Sequence, residues 1–149
     1  NSDEPYCEEL AKAITTEIRK GNRIDTTTKL RNVIEKTLDF LPNNKEKKDI
    51  IKKTCQRTFQ ALRIDVNNEF EVLYEFMEKL PGALKPGGRV AILTFHSGED
   101  KLVKKALKAG YKEGIYSEYA RDVVRPSAQE CAQNGRARST KMRWAVKAE

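Results

Sequence analysis

Apolar residues in the first half of the chain recur every three or four positions, which is the spacing of one buried helix face. This pattern predicts helices over residues 5–20 and 25–41, each closed by a Gly, Asn or Pro segment. Residues 45–80 contain neither Gly nor Pro. We therefore expect one long helix there, or two helices that join near Asn67-Asn68.

The pattern changes after the turn at residues 86–88. Residues 89–95 form an almost continuous apolar run, which predicts a strand buried on both faces. The acidic pair at 99–100 suits the first turn of a following helix that ends near Ala109-Gly110. Residues 111–125 fit a further strand or a loose hairpin.

The last residues of the chain alternate between apolar and basic side chains. Residues 140–147 therefore predict a half-buried strand near a sheet edge, with Met142, Trp144 and Val146 on the buried side. In that phase Trp144 is a core residue rather than a platform for stacking a base. The predicted fold class is α/β, with a helical N-terminal part followed by a partial sheet.

The chain has 149 residues, which fits one small domain or a fragment of a larger one. Its formal net charge is +7, and no acidic residue interrupts the basic run from Arg136 to Lys147. Such a run favours a polyanionic partner through counterion release. The alternative is a solvated basic edge that keeps the strand from pairing with other chains.

The cysteines and the histidine indicate the redox state of the compartment and whether a metal site is expected. The three cysteines are widely spaced and odd in number, which indicates a reducing compartment. Because His96 is the only histidine and no Cys-x-x-Cys pair occurs, we expect no metal site. No apolar run approaches the length of about 20 residues that a membrane helix needs, so no membrane contact is predicted.

Four separated blocks resemble the MraW or RsmH family of small-subunit ribosomal RNA methyltransferases. They follow one another in family order over nearly the whole chain. The blocks are Tyr6-Cys7-Glu8-Glu9 with Thr26-Thr27-Thr28, residues 57–64 (RTFQALRI) with Asn67 and Glu69, residues 84–97 (LKPGGRVAILTFHS) with Glu99-Asp100, and residues 134–139 (NGRARS) with Lys141 and Arg143.

The resemblance implies a function for the protein. Members of the family use S-adenosylmethionine to methylate the exocyclic amine of a cytidine, so small-subunit rRNA is the expected partner. The implied architecture is a helical, insertion-like region over residues 1–56, then a partial class I (Rossmann-like) methyltransferase domain over residues 57–149. The chain resembles the second half of the family only, because nothing in it matches the Gly-rich cofactor-binding lobe. The cofactor-binding residues are thus unknown, and a missing lobe or a second chain would complete the sheet.

The resemblance also suggests candidate site residues. His96, Ser97 and Asn67 are the catalytic candidates, because His96 could accept a proton and Ser97 could orient the amine at the carboxyl end of a strand. His96 could instead tie the strand to the following helix. The candidates for RNA binding are Arg63, Arg89, Arg136, Arg138, Lys141 and Arg143.

Two further alternatives stay open. Arg63 could pair with Asp65 or Glu69 rather than with a phosphate, and Asn67 could cap a helix end. The chain as a whole could be a degenerate, non-catalytic RNA-binding or structural subunit of a ribosomal or organellar assembly. A departure from the family pattern fits this alternative, since Gly98 stands where the family usually has leucine. The expected location is the cytoplasm, or a mitochondrion or plastid after loss of a targeting segment.

Overall fold

Three helices form the first part of the chain, as the apolar spacing predicts. The computed structural model describes residues 3–149, and its helices here are α1 (Cys7–Arg19), α2 (Thr27–Thr37) and α3 (Lys45–Val66). The Thr26 hydroxyl caps α2 by accepting the N–H of Lys29 at 3.2 Å. The buried core that holds these helices together consists of Leu10, Leu30, Ile34 and Leu38.

A left-handed residue separates the two halves of the long predicted helix. Asn68 has φ 49°, a conformation that asparagine tolerates better than most residues, and α4 (Glu69–Ala83) begins directly after it. The predicted join near Asn67-Asn68 is therefore confirmed. The structure divides into two compact units at this point, one ending at Asn67 and one running from Asn68 to Glu149. The predicted domain boundary at residues 56/57 lies inside α3 and does not coincide with this division.

The second unit is an α/β unit. After α4 come β1 (Arg89–Thr94), α5 (Ser97–Lys112), β2 (Tyr116–Tyr119), α6 (Ala128–Gln133), a 3-10 helix (Gly135–Ser139) and β3 (Lys141–Lys147). The predicted end of α5 at Ala109-Gly110 is wrong, because Gly110 lies inside the helix. A Cβ atom at Gly110 would lie 2.6 Å from the ring of the buried Tyr116, so glycine lets the helix pack closely on β2.

The three strands form a sheet in the order β1-β3-β2, and both outer strands run antiparallel to β3. Helix α5 covers one face of this sheet. Its buried Val103 and Leu107 belong to a core cluster with Tyr116 and Ala145, to which α4 adds Met77 and Leu80.

The predicted buried side of β3 is wrong. Arg143 and Ala145 are buried, whereas Met142, Trp144 and Val146 are only half-buried. Side chains directly opposite on paired strands share a face, and Ala145 and Arg143 oppose Val90 and Ile92. Helix α5 therefore covers the face that contains an arginine, and Trp144 points to the other face.

Strand β1 is also less buried than its apolar run predicts. Its residues from Arg89 to Leu93 alternate between exposed and half-buried, and only Thr94 at its end is buried. Leu93 is 57% exposed. The expectation of burial on both faces is therefore wrong for the described residues, since α5 covers one face and Leu93 stands on the other. Among residues 3–149, no helix has both the length and the apolar character required to cross a membrane.

Candidate functional site

One end of the sheet brings two of the sequence blocks together. Because β1 and β3 are antiparallel and Thr94 opposes Lys141, the carboxyl end of β1 lies beside the amino end of β3. The Thr94 hydroxyl donates to the carbonyl of Lys141 at 3.4 Å. We call this region the site end of the sheet, and define it as residues 95–97 together with the segment 135–141.

His96 caps α5 at the site end. Its Nδ1 accepts the backbone N–H of Glu99 at 3.4 Å, while the Glu99 carboxylate accepts the N–H of Phe95 at 2.9 Å and that of His96 at 3.4 Å. This reciprocal arrangement is a capping box, with histidine in the position that usually holds Ser or Thr. The sequence leaves open a structural role for His96 beside the catalytic one. The capping box is that structural role, because it links the end of β1 to the start of α5.

The cap fixes the protonation of the ring. A nitrogen that accepts an N–H carries no proton, so the proton of the neutral imidazole lies on Nε2. That atom is buried and lies 3.2 Å from Oε1 of Glu99, without the geometry of a hydrogen bond. The nitrogen lone pair that a general base would use is therefore already engaged, and the catalytic role of His96 stays a prediction.

The aromatic ring of Phe70 packs against the cap. It meets the His96 ring edge to face, with ring centroids 5.9 Å apart. A Cβ atom at Gly98 would lie 2.8 Å from Cζ of Phe70. This close approach favours glycine at position 98, because any larger side chain, such as the leucine that the family resemblance leads one to expect, would require the phenyl ring to move.

One group of side chains in the described part of the chain could supply ligands to a cation. Potential ligand atoms of Glu69, His96 and Glu99 lie within 4.8 Å of one another. Coordination by Nε2 would require its proton to leave, yet Nδ1 is already an acceptor for a backbone N–H. This arrangement favours the cap over a bound metal ion.

The capping role gives a first prediction. Replacing His96 with alanine is expected to lower the free energy of unfolding by about 1 kcal/mol, because the N–H of Glu99 loses its acceptor. His96→Asn keeps a capping side chain and should stay within a few tenths of a kcal/mol of the wild type. Urea denaturation measures both variants. An asparagine variant as unstable as the alanine variant would contradict the capping role.

Arg143 is not available to RNA, which corrects the sequence prediction. Only 5% of its surface is exposed, and its guanidinium makes two hydrogen bonds to the Asp100 carboxylate, at 2.7 and 3.2 Å. It also donates to the carbonyls of Ala120 and Arg121, both at 3.4 Å. The hydrogen bond from Arg143 holds the pKa of Asp100 below its ordinary value. Arg143 therefore joins β3 to α5 and to the chain after β2.

Other basic candidates do lie at the site end. Arg136 and Arg138 are exposed in the 3-10 helix, and Lys141 is half-buried at the start of β3. Sequence reasoning missed Arg125, which is exposed and follows Val124, the bridge partner of Met142. The pairing places Arg125 next to the amino end of β3. The available signal was the apolar pair Val123-Val124, because this pair predicts a strand that ends at Arg125.

Two other sets of predicted residues lie elsewhere. Arg89 is exposed but opposes Val146 at the opposite end of β1, about 16 Å from Thr94 at the usual strand rise. It does not join the cluster at the site end. Arg63 and Asn67 belong to the first unit, where Asn67 ends α3 and donates its N–H to the Arg63 carbonyl at 3.1 Å. Both side chains have interaction partners, and their predicted roles stay predictions.

Ser97 is the third catalytic candidate. It is the exposed first residue of α5, and its hydroxyl has no hydrogen-bond partner within residues 3–149. It is accordingly a polar side chain of the site end that a ligand can reach. An exposed hydroxyl can orient a substrate by a hydrogen bond, but the described surroundings contain no base positioned to activate it.

The described sheet lacks the crevice in which α/β sheets usually hold a ligand such as S-adenosylmethionine. In α/β sheets such ligands occupy a crevice outside the carboxyl ends of neighbouring parallel strands. The neighbour of β1 in the described sheet is the antiparallel β3, and the turn after β1 is closed by the capping box. The described geometry therefore supplies a cluster of exposed basic side chains and one reachable hydroxyl, and the described sheet shows no such crevice.

A family comparison decides the relationship. The family model described as the MraW methylase family matches residues 1–148 of the chain. The chain belongs to the MraW methylase family. The four sequence blocks that resemble this family therefore reflect a true relationship, and the prediction of the family is confirmed.

Curated members of the family are similar over almost the whole chain. The ribosomal RNA small subunit methyltransferase H 1 of Agathobacter rectalis is 89% identical over 100% of this chain, which covers 42% of that protein. Its namesake in Lachnoclostridium phytofermentans is 70% identical over 99% of this chain, which covers 40% of that protein. The methyltransferase H of Mesomycoplasma hyopneumoniae (strain 7448) is 39% identical over 96% of this chain, and 47% of it is covered.

The chain thus spans less than half the length of these relatives. Its match to the second half of the family stays a prediction.

Proposed function

We propose that this chain forms part of an S-adenosylmethionine-dependent methyltransferase that modifies the exocyclic amine of a cytidine in small-subunit rRNA. Family membership carries the proposal, together with relatives that are named as methyltransferases of small-subunit ribosomal RNA. A bacterial cytoplasm is the proposed location, because these relatives come from bacteria.

The contribution that we assign to this chain is to hold the RNA at the site end of the sheet. Arg136 and Arg138 are exposed there, and Arg125 is exposed next to the amino end of β3. None of the three makes an ion pair with another described residue. Each exposed cation that neutralises a phosphate releases a counterion condensed on the RNA, and this release favours binding. Ser97 lies at the same end, where its hydroxyl could position a nucleotide.

The remaining parts of the proposed enzyme would come from outside the matched residues. S-adenosylmethionine supplies the methyl group when bound, and the residues that would bind it are not among those described. The outer edge of β1 faces no strand in the described sheet, and the exposed Leu93 stands on the face that α5 leaves open. Both features support completion of a class I (Rossmann-like) sheet by a further lobe or a second chain. In the same proposal, residues 57–149 belong to the methyltransferase domain.

A second candidate function is a non-catalytic RNA-binding or structural subunit. The observation that favours it is the capping box, which engages the lone pair of His96 and leaves its Nε2 buried. In that case the basic cluster at the site end would still bind RNA. Methyl transfer separates the two candidates.

Methyl transfer from labelled S-adenosylmethionine to small-subunit particles tests the proposal, in the natural protein that carries this sequence. The double variant Arg136→Gln/Arg138→Gln should raise KM for the particles and leave kcat unchanged, because it removes contacts to RNA and no reacting group. In direct binding, the slope of log affinity against log salt should fall by about 2.

The matched control is Lys108→Gln/Lys112→Gln, which removes the same charge from exposed positions in the second half of α5. Its KM should equal that of the wild type. An equal rise of KM in both double variants would show that net charge alone matters and would remove the site end from the proposal. If neither the wild type nor either double variant transfers label to the particles, only the non-catalytic function remains.

A further inference from the structure

The first unit contains an open groove that none of the predicted RNA-binding residues lines. It lies between α1 and α2, with the turn that joins them closing one side, and has a volume of about 880 Å³. Its walls come from helix faces. Helix α1 contributes Lys12 and Thr16, and Lys20, which follows the last residue of α1, continues their four-residue spacing. Helix α2 contributes Lys29 and Lys36, seven residues apart. Both spacings place side chains along one face of a helix.

The groove carries an excess of positive charge. Five cationic side chains line it against two carboxylates, those of Glu17 and Asp25. Both carboxylates are already bonded. Glu17 accepts a hydrogen bond from Asn22 at 2.8 Å, and Asp25 pairs with Lys29 at 2.7 Å. These hydrogen bonds hold the pKa of each carboxylate below its ordinary value, so both stay ionised and paired at neutral pH.

Three of the cations remain available to a ligand. Lys12, Arg23 and Lys36 are exposed, and within residues 3–149 none of them makes a hydrogen bond or an ion pair through its side chain. They project from α1, from the α1–α2 turn and from α2, so they surround the groove on three sides. A ligand in the groove would meet positive charge from each of these directions.

The groove also has the length and lining that a nucleic-acid backbone requires. Lys12 and Lys20 lie about 12 Å apart along the helix axis, a distance that corresponds to about three to four phosphate-to-phosphate steps of one duplex strand. Between the cations stand Thr16 and Asn32, which have no side-chain hydrogen-bond partner within the described chain. Neutral side chains of this kind donate to phosphate and sugar oxygens in RNA interfaces.

We propose that the groove between α1 and α2 binds the phosphate backbone of RNA, through Lys12, Arg23 and Lys36. This RNA contact lies in the helical unit and is separate from the cluster at the site end. The inference rests on the proposed function in one respect only, since that function makes RNA the polyanion that the protein meets. The groove recognises charge and backbone, so it supplies affinity and no base sequence.

Fluorescence anisotropy of a short labelled RNA hairpin, titrated with the 149-residue chain at several salt concentrations, tests this proposal. The triple variant Lys12→Gln/Arg23→Gln/Lys36→Gln is expected to bind at least tenfold more weakly at low salt. The slope of log affinity against log salt should fall by 2 to 3, about one for each lost phosphate contact.

Two variants serve as controls. Lys45→Gln/Lys52→Gln/Lys53→Gln removes three exposed cations from α3 in the same unit, and it should weaken binding less than threefold. Arg136→Gln/Arg138→Gln reports on the site end. Circular dichroism of each variant confirms that the helices are retained.

The outcomes are distinct. A loss of affinity for the RNA hairpin that is much larger in the groove variant than in the α3 variant supports the proposal. Equal losses in the groove and α3 variants would overturn it, because general charge would then explain the binding. A loss confined to the site-end variant would also overturn it while leaving the proposed RNA function intact. If the wild-type chain does not bind the hairpin even at low salt, the groove proposal fails, whereas methyl transfer by the natural protein tests the function separately.

Discussion

Replacement of Arg143 with methionine is expected to lower the free energy of unfolding by about 3 kcal/mol, since it leaves a largely buried carboxylate without its partner. The side chains of Arg143 and Asp100 are only 6% and 13% exposed, and they are joined by two hydrogen bonds. Methionine keeps the aliphatic volume of the arginine but provides no donor. Urea denaturation followed by circular dichroism measures the change.

Arg138→Met is the matched control, because Arg138 is exposed in the 3-10 helix. It should change the free energy of unfolding by less than about 0.5 kcal/mol. If Arg143→Met were equally harmless, the ion pair would not support the packing of α5 on the sheet. Arginine would then be free to face RNA, as the sequence pattern alone predicts.

The same ion pair predicts a pH dependence. The pKa of Asp100 lies below its ordinary value of 3.8 in the folded protein, so ionised Asp100 stabilises the fold above that pH. This stabilisation is lost as the pH falls through the lowered pKa. The difference in stability between the wild type and Asp100→Asn should therefore shrink as the pH is lowered below about 3.8. A difference that stays constant down to that range and beyond it would contradict the ion pair.

Leu107→Ala is the second change with a large expected effect. Leu107 is fully buried in the core cluster that joins α5 to the sheet. Removing its branched side chain should cost about 3 kcal/mol, because the transfer free energy is lost and a cavity remains. The same α5 carries the capping box at its first turn, so the core beneath it holds the site end in place.

Lys108→Ala provides the comparison, since Lys108 is the next residue on α5 and is exposed. Lysine and alanine have similar helix propensities, so its effect should stay within a few tenths of a kcal/mol. Differential scanning calorimetry of both variants gives the result. A melting temperature of Leu107→Ala close to that of the wild type would mean that α5 does not depend on this contact.

The helices of the first unit could be predicted because their apolar positions follow one period and their ends carry the residues that stop or cap a helix. The join at Asn68 was also predictable, since asparagine accepts the left-handed conformation that the turn requires. The domain boundary at residues 56/57 stays a prediction, because it follows sequence blocks that begin inside α3.

The sheet shows where a pattern of hydrophobic and polar residues fails. In β3 the alternation indicates Met142 and Trp144 as the buried side, but α5 covers the side of Arg143 and Ala145. This inversion is possible because Asp100 on α5 neutralises the arginine. The sequence separates these two residues by 43 positions, so their pairing carries no local signal.

The candidate site was predicted in outline only. The place where β1 gives way to α5 follows from the apolar run and the acidic pair, but the bond between the His96 ring and the N–H of Glu99 depends on side-chain geometry. The pairing that brings Arg125 beside β3 likewise depends on the bridge between Val124 and Met142. Neither contact has a sequence pattern of its own.

Mass spectrometry of the rRNA nucleosides tests the proposed methyl transfer. Small-subunit rRNA would first react with labelled S-adenosylmethionine and the natural protein that carries this sequence. We expect label in a cytidine whose exocyclic amine has gained one methyl group. Label on a carbon atom or on another base would contradict the proposed reaction. Unlabelled rRNA, with RNA binding retained, would assign the chain to a non-catalytic RNA-binding protein.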